Sequence, residues 1–144
     1  MKLLVDNKIP FFREYLKKIK NHDQFIIKYF DDNNLENDDC LNADALFIRS
    51  TTRVNSELLS NSPIKFIGSA TSGYDHFDNN ILNNSKYSSY VASGCNASAV
   101  VNWVLSCIGL LVFKKVISRN RMLGIIGYGS CLLYTSDAAD EMRR

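Results

Sequence analysis

A chain of 144 residues, 46% hydrophobic and 22% charged, has the length of one domain, or of one domain with part of a second. That apolar share excludes a wholly disordered chain, and only two prolines and seven glycines exclude collagen-like or proline-rich spacer sequence. Seventeen basic against fifteen acidic side chains leave a net +2, so charge gives no reason to expect nucleic acid as a partner.

Residues 2–5 are a short apolar run closed by Asp6 and predict a strand. The run is too short for a signal peptide. The four cysteines, Cys40, Cys95, Cys107 and Cys131, include no C-x-x-C pair, so the expectation is a reduced, cytoplasmic protein without a metal site. Residues 11–19 place Phe11, Phe12, Tyr15, Leu16 and Ile19 at helical spacing just after Pro10. Residues 25–30 predict a second strand. The stretch 31–44, rich in Asn and Asp, predicts a loop with a turn of helix at most.

Residues 45–48 predict a third strand, closed by Arg49-Ser50-Thr51-Thr52, and residues 55–59 a short helix. Pro63 introduces a fourth strand over 64–67, which runs into Gly68-Ser69-Ala70-Thr71-Ser72-Gly73-Tyr74-Asp75. A helix over 77–82 and a fifth strand over 87–91 follow. Ser93-Gly94-Cys95-Asn96 then turns into an uncharged helix over 97–113, with Lys114 and Lys115 at its C-terminus, where cations are favoured. At about 1.5 Å per residue this helix falls short of a hydrocarbon core of roughly 30 Å. It also carries Ser98, Asn102 and Ser106, so it reads as a core or interface helix and not a membrane span. A basic connector over 114–121 leads to a further apolar run and Gly127-Tyr128-Gly129-Ser130.

Strands alternating with helices predict βαβ units and a mainly parallel sheet. The strands are near-continuous apolar runs, as expected where helices cover both faces. Ligands of such sheets bind beyond the carboxyl ends of the strands. Three loops there could carry chemistry. Arg49-Ser50-Thr51-Thr52 offers hydroxyls to an anion, or a helix N-cap. Ser69 to Asp75 offers hydroxyls and backbone N–H groups with little steric cover, suited to a carboxylate or phosphate, or simply a solvated turn. Gly127-Tyr128-Gly129, after an apolar strand over 123–126, is half of a dinucleotide fingerprint, whose third glycine would stand at Leu132, or an ordinary strand-to-turn glycine pair. His22 reads as solvated and His76 as structural. Arg49 and Ser50 stand where a receiver domain needs its acceptor aspartate, which argues against that class. A flavin-binding flavodoxin-like module is a further alternative.

Four blocks occur in order: Met1-Lys2-Leu3-Leu4-Val5-Asp6-Asn7, Ala43-Asp44-Ala45-Leu46-Phe47-Ile48-Arg49-Ser50, Pro63-Ile64-Lys65-Phe66-Ile67-Gly68-Ser69-Ala70-Thr71 and Gly94-Cys95-Asn96-Ala97. Over residues 1–130 the chain thereby resembles the N-terminal part of the D-isomer-specific 2-hydroxyacid dehydrogenases, and within them those acting on 4-phospho-D-erythronate. The resemblance implies a flavodoxin-like substrate domain over residues 1–96, an interdomain helix and connector over 97–121, and the start of a Rossmann domain for NAD over 122–130. It implies oxidation of 4-phospho-D-erythronate to a 2-oxo-3-hydroxy-4-phosphobutanoate on the route to pyridoxal 5′-phosphate, and a homodimer at full length. A phosphoglycerate-type dehydrogenase is the alternative within the family.

By the same resemblance, Ser50 and Thr71 match substrate-binding positions, and Gly73 lies in the loop whose backbone faces the substrate carboxylate. Gly127, Gly129 and Ser130 match the nucleotide-binding turn. The family's catalytic arginine, glutamate and histidine come from a later part of the chain, so no catalytic residue is assigned here and the 144 residues alone are expected to be inactive. Asn102 departs from the glutamate that many relatives carry in the apolar helix. The segment from Cys131 to Glu141 resembles the translation of a transposon-end sequencing adapter, and residues 131–144 are accordingly expected to be a non-native tail.

Overall fold

The computed structural model describes residues 1–31, 34–118, 124 and 129. The chain divides into two compact units, Met1–Ala92 and Ser93–Arg144. The first contains five strands, β1 (Lys2–Asp6), β2 (Ile26–Phe30), β3 (Ala45–Ile48), β4 (Phe66–Ser69) and β5 (Ser88–Val91), with short helices α1 (Phe12–Leu16), α2 (Asn37–Cys40) and α3 (Asn79–Leu82). All neighbouring strands pair in parallel, in the order β2-β1-β3-β4-β5. This is the flavodoxin-like order, and the α/β class expected from the sequence is the one observed.

Successive side chains of a strand point to opposite faces, and here both faces are covered. Leu4, Leu46 and Ile67 lie in one register row across β1, β3 and β4 and are fully buried. Cys40 of α2, Ile81 of α3, and Val54, Leu59 and Ile64 of the β3–β4 connection pack on that face. On the other face Leu3, Val5 and Ala45 meet Phe12 and Leu16 of α1 and the ring of Phe47. The Phe47 centroid lies 4.9 Å from that of Phe12 and 5.6 Å from that of Phe66. Gly68 makes room for that ring: a Cβ there would stand 3.0 Å from Phe47 Cδ1.

The expected helix over 55–59 is absent, and the segment is a set of turns. Its polar groups are claimed from outside a helical ladder. Asn55 Oδ1 accepts the Leu58 N–H at 2.8 Å. Asn37 Nδ2, from α2, donates to the carbonyls of Glu57, Leu58 and Ser60 at 3.2, 2.8 and 2.9 Å. The helix expected over 11–19 is cut to Phe12–Leu16, because only Phe12 and Leu16 reach the sheet, whereas Phe11, Tyr15 and Ile19 stay exposed. Strand β4 starts two residues later than expected. Its pairing begins opposite Ala45, the first residue of β3, while Ile64 is buried before the ladder starts.

In the second unit α4 (Ala97–Phe113) has the expected bounds. Trp103, Leu110 and Phe113 on it are exposed. Among the described residues no helix is long and apolar enough to cross a membrane. The expected strand over 123–126, the end of the basic connector and the tail over 131–144 fall outside the described residues, Gly124 excepted.

Candidate functional site

Strands β1 and β3 lie side by side although the chain leaves them toward opposite edges of the sheet. In open α/β sheets, ligands bind outside the carboxyl ends of the strands at such a reversal. Asp6 ends β1 there with no solvent exposure. Its Oδ2 accepts a hydrogen bond from Arg49 Nε at 2.9 Å, and its Oδ1 accepts the Lys8 N–H at 2.8 Å. Arg49 follows β3 directly, so the ion pair joins the two strand ends.

The Arg49 carbonyl accepts the Thr52 N–H at 3.1 Å, which closes a four-residue turn. Ser50 and Thr51 are its exposed corners, and no hydrogen bond to another described residue engages either of them. The β3–β4 ladder continues one residue further, because Ala70 N–H donates to the Ile48 carbonyl at 2.8 Å. Ser50 and Thr71 therefore stand equally far, two residues, past the register pair Ile48↔Ser69. The fold brings these two expected substrate residues to adjacent positions on one sheet edge.

Thr71 is half-buried, and its Oγ1 lies 3.0 Å from Ser69 Oγ. Ser69 Oγ in turn lies 2.9 Å from His76 Nε2. His76 is buried, and this desolvation holds its imidazole below the ordinary value of 6.5, with Asp75 pulling the other way. Ser72 Oγ donates to the Ala92 carbonyl at 3.1 Å, tying the loop to the end of β5. Gly73 has φ +83°, a conformation that side-chain-bearing residues rarely adopt. Among the described residues its N–H meets no hydrogen-bond acceptor.

Two members of this edge escaped the sequence reading. Asp6 was read only as the end of a strand, although an acid closing a buried apolar run is a signal that it has a cationic partner. His76 was read as structural without a link to the small-residue loop. It lies seven residues beyond Ser69, across the turn at Gly73, and only the folded loop brings the two together.

Of the expected nucleotide-binding residues, Gly127 and Ser130 lie outside the described residues. Gly129 is exposed, and a Cβ on it or on Gly124 would meet nothing within 4 Å. Such open backbone is compatible with close approach of a pyrophosphate. Among the described residues no three His, Cys, Asp or Glu side chains gather into a metal-binding group.

A parallel sheet of this order, with hydroxyl and glycine loops on its carboxyl edge, defines the first unit as a flavodoxin-like α/β domain, followed in the chain by a second unit. The family model for the D-isomer specific 2-hydroxyacid dehydrogenase catalytic domain matches residues 3–144. The chain belongs to that family. It is 39% identical over 131 residues to the erythronate-4-phosphate dehydrogenase of Pectobacterium carotovorum subsp. carotovorum (strain PC1), covering 90% of this chain and 33% of the relative. The Salmonella arizonae protein of the same name gives the same identity and coverage. The chain thus spans about a third of the length of the curated relatives it matches.

Solved structures share the fold. The NAD+-bound 3-phosphoglycerate dehydrogenase of Entamoeba histolytica superposes with a TM-score of 0.69 at 18% identity, covering 99% of this chain and 51% of that one. The D-lactate dehydrogenase of Aquifex aeolicus, complexed with NAD and lactic acid, gives 0.56 at 18% identity over 98% and 48%.

Proposed function

We propose that this chain supplies the substrate-binding wall of an NAD-dependent dehydrogenase that oxidises 4-phospho-D-erythronate. The observation that carries this reading is the placement of Ser50 and Thr71 at equivalent positions past two paired strands, beside the reversal point, with the Ser50 hydroxyl and the Gly73 N–H free for a ligand among the described residues. The similarity to erythronate-4-phosphate dehydrogenases supports the choice of substrate over a phosphoglycerate.

In this reaction the C2–H leaves as a hydride while the C2 hydroxyl proton passes to a base. NAD, held in part by Gly127, Gly129 and Ser130, supplies the hydride acceptor when bound. The residues of this chain bind and orient. Ser50 and Thr71 hydrogen-bond the sugar acid, and the Gly73 N–H meets its carboxylate. In the whole protein residues 1–96 form the substrate domain, 97–121 the interdomain helix and connector, and 122–130 the start of the nucleotide domain. That protein is a cytoplasmic homodimer.

Binding of 4-phospho-D-erythronate, followed by amide chemical shifts, tests the proposal. Signals of residues 50, 51 and 71–73 should move together, and Ser50→Ala or Thr71→Val should each weaken binding about tenfold, as for loss of a hydrogen bond to a charged group. Equal binding of D-lactate, or unchanged affinity in both variants, would refute it.

A further inference from the structure

Behind the Thr71 hydroxyl, the loop that follows β4 contains a chain of polar side chains that the proposed substrate contacts do not use. Ser69 is buried, and its single hydroxyl is surrounded by four partners: His76 Nε2 at 2.9 Å, Thr71 Oγ1 at 3.0 Å, and the Thr71 N–H and carbonyl, each at 3.4 Å. A hydroxyl has one hydrogen and two lone pairs, so it cannot serve all four alike. Two arrangements make both short contacts without using the Thr71 carbonyl; a third, weaker one sends the Ser69 hydrogen to that carbonyl, 3.4 Å away.

In the first, the imidazole proton sits on Nε2. Ser69 Oγ then accepts from Nε2–H and from the Thr71 N–H, and its own hydrogen goes to Thr71 Oγ1. The Thr71 hydroxyl hydrogen is left over and turns outward. In the second, the proton sits on Nδ1. Ser69 then donates to Nε2 and accepts the hydroxyl hydrogen of Thr71, which shows only lone pairs to the outside. The directions of both hydroxyls reverse together, and no heavy atom need move.

We propose that His76 is a positioning residue, whose ring proton, acting through Ser69, decides whether the Thr71 hydroxyl meets a bound anion as donor or as acceptor. The inference rests on the reading of Thr71 as a ligand contact. A carboxylate or phosphate oxygen only accepts hydrogen bonds, so an anionic ligand selects the Nε2–H form. Burial of His76 keeps the ring from carrying both protons at neutral pH, which leaves the choice of tautomer open to the ligand. His76 touches neither ligand nor cofactor in this scheme. Its effect reaches the site only through the orientation of two hydroxyls.

The test reads the two ring nitrogens of His76 by nitrogen-15 NMR in the full 144-residue chain. Without ligand, Thr71→Val leaves the Ser69 hydrogen only the Thr71 carbonyl, 3.4 Å away, in the Nε2–H form, and in the Nδ1–H form leaves only a Ser69 lone pair unfilled, which costs less. Both forms lose a bond to Thr71, so the ratio of Nε2–H to Nδ1–H should fall by about twofold to threefold, the low end for one net hydrogen bond, and Thr71→Ser should restore it. With saturating 4-phospho-D-erythronate the wild-type ratio should rise toward the Nε2–H form. An unchanged ratio in Thr71→Val overturns the proposal. So does a ligand that moves the Thr71 signals but leaves the His76 tautomer where it was, an outcome under which the substrate reading survives. A ligand that moves neither overturns the substrate reading, and the Thr71→Val comparison then decides the relay alone.

Discussion

The His76 ring is held neutral by its surroundings, and stability should register this. Its folded-state value lies below the ordinary 6.5 because burial disfavours the charged ring. The unfolded chain therefore takes up this proton first as pH falls, and the folded state is penalised. The contribution is fully present above about pH 6.5 and is lost as pH drops through the lowered folded value. The difference in urea midpoint between wild type and His76→Gln should accordingly change between about pH 7 and pH 5, with the wild type losing more stability than the variant. A difference that stays constant across that range would mean that the imidazole titrates as if exposed. At this scale the sequence was legible where chemistry is local. Hydroxyl-bearing loops after apolar strands were visible at once, whereas the choice of Ser50 and Thr71 within them came from the family resemblance. The partners of Asp6 and of Ser69 could not, because Arg49 lies 43 residues from the first and the Ser69–His76 contact depends on the path of a glycine turn.

Among the secondary-structure elements, the strands and α4 were legible because unbroken apolar runs have few alternatives once both faces of a sheet are covered. The segment 55–59 was not. Its composition favours a helix, but the Asn37 amide reaches in from α2 and takes two of its carbonyls, Glu57 and Leu58, and that of Ser60 just beyond. A helix would have pointed those carbonyls along its own axis. Asn37→Ala should cost about 0.5–1.5 kcal/mol in chemical denaturation, the usual net loss when carbonyls still open to water lose a donor. Asn37→Asp should cost more, since it sets an acceptor against three acceptors. A destabilisation by Asn37→Asp no greater than that of Asn37→Ala would show that the amide donates little there.

Across the whole molecule, the Asp6–Arg49 pair links β1 to the turn after β3 and fixes the two strand ends at the reversal point. A carboxylate with no exposure is stabilised only by its partners, and removing one side of such a pair typically costs 3–5 kcal/mol. Asp6→Ala should fall near the lower end, about 3 kcal/mol, because the Arg49 side chain retains 23% exposure and can rehydrate. Equilibrium unfolding in urea measures this, and a loss below about 1 kcal/mol would make the pair a bystander. The order of the sheet followed from the sequence only as far as alternating strands imply parallel pairing. The position of the reversal between β1 and β3 is a property of the assembled sheet.

The two sides of that sheet are unequally armoured. Beneath one lies a continuous cluster from Leu4 to Val91, while the other shelters only Leu3, Val5 and Ala45, in part under Phe12 and Leu16 of the five-residue α1. So short a helix has little ladder of its own and is entered through Phe11 at φ 56°, an uncomfortable angle for a bulky residue. Thermal breathing should begin there. Amide protons such as that of Tyr15, bonded to Phe11 at 3.0 Å, should exchange with deuterium through a small partial opening, whereas those of β3 should wait for global unfolding. The sheet would then loosen from one side like a shutter, leaving β3 and its carboxyl end intact until the last.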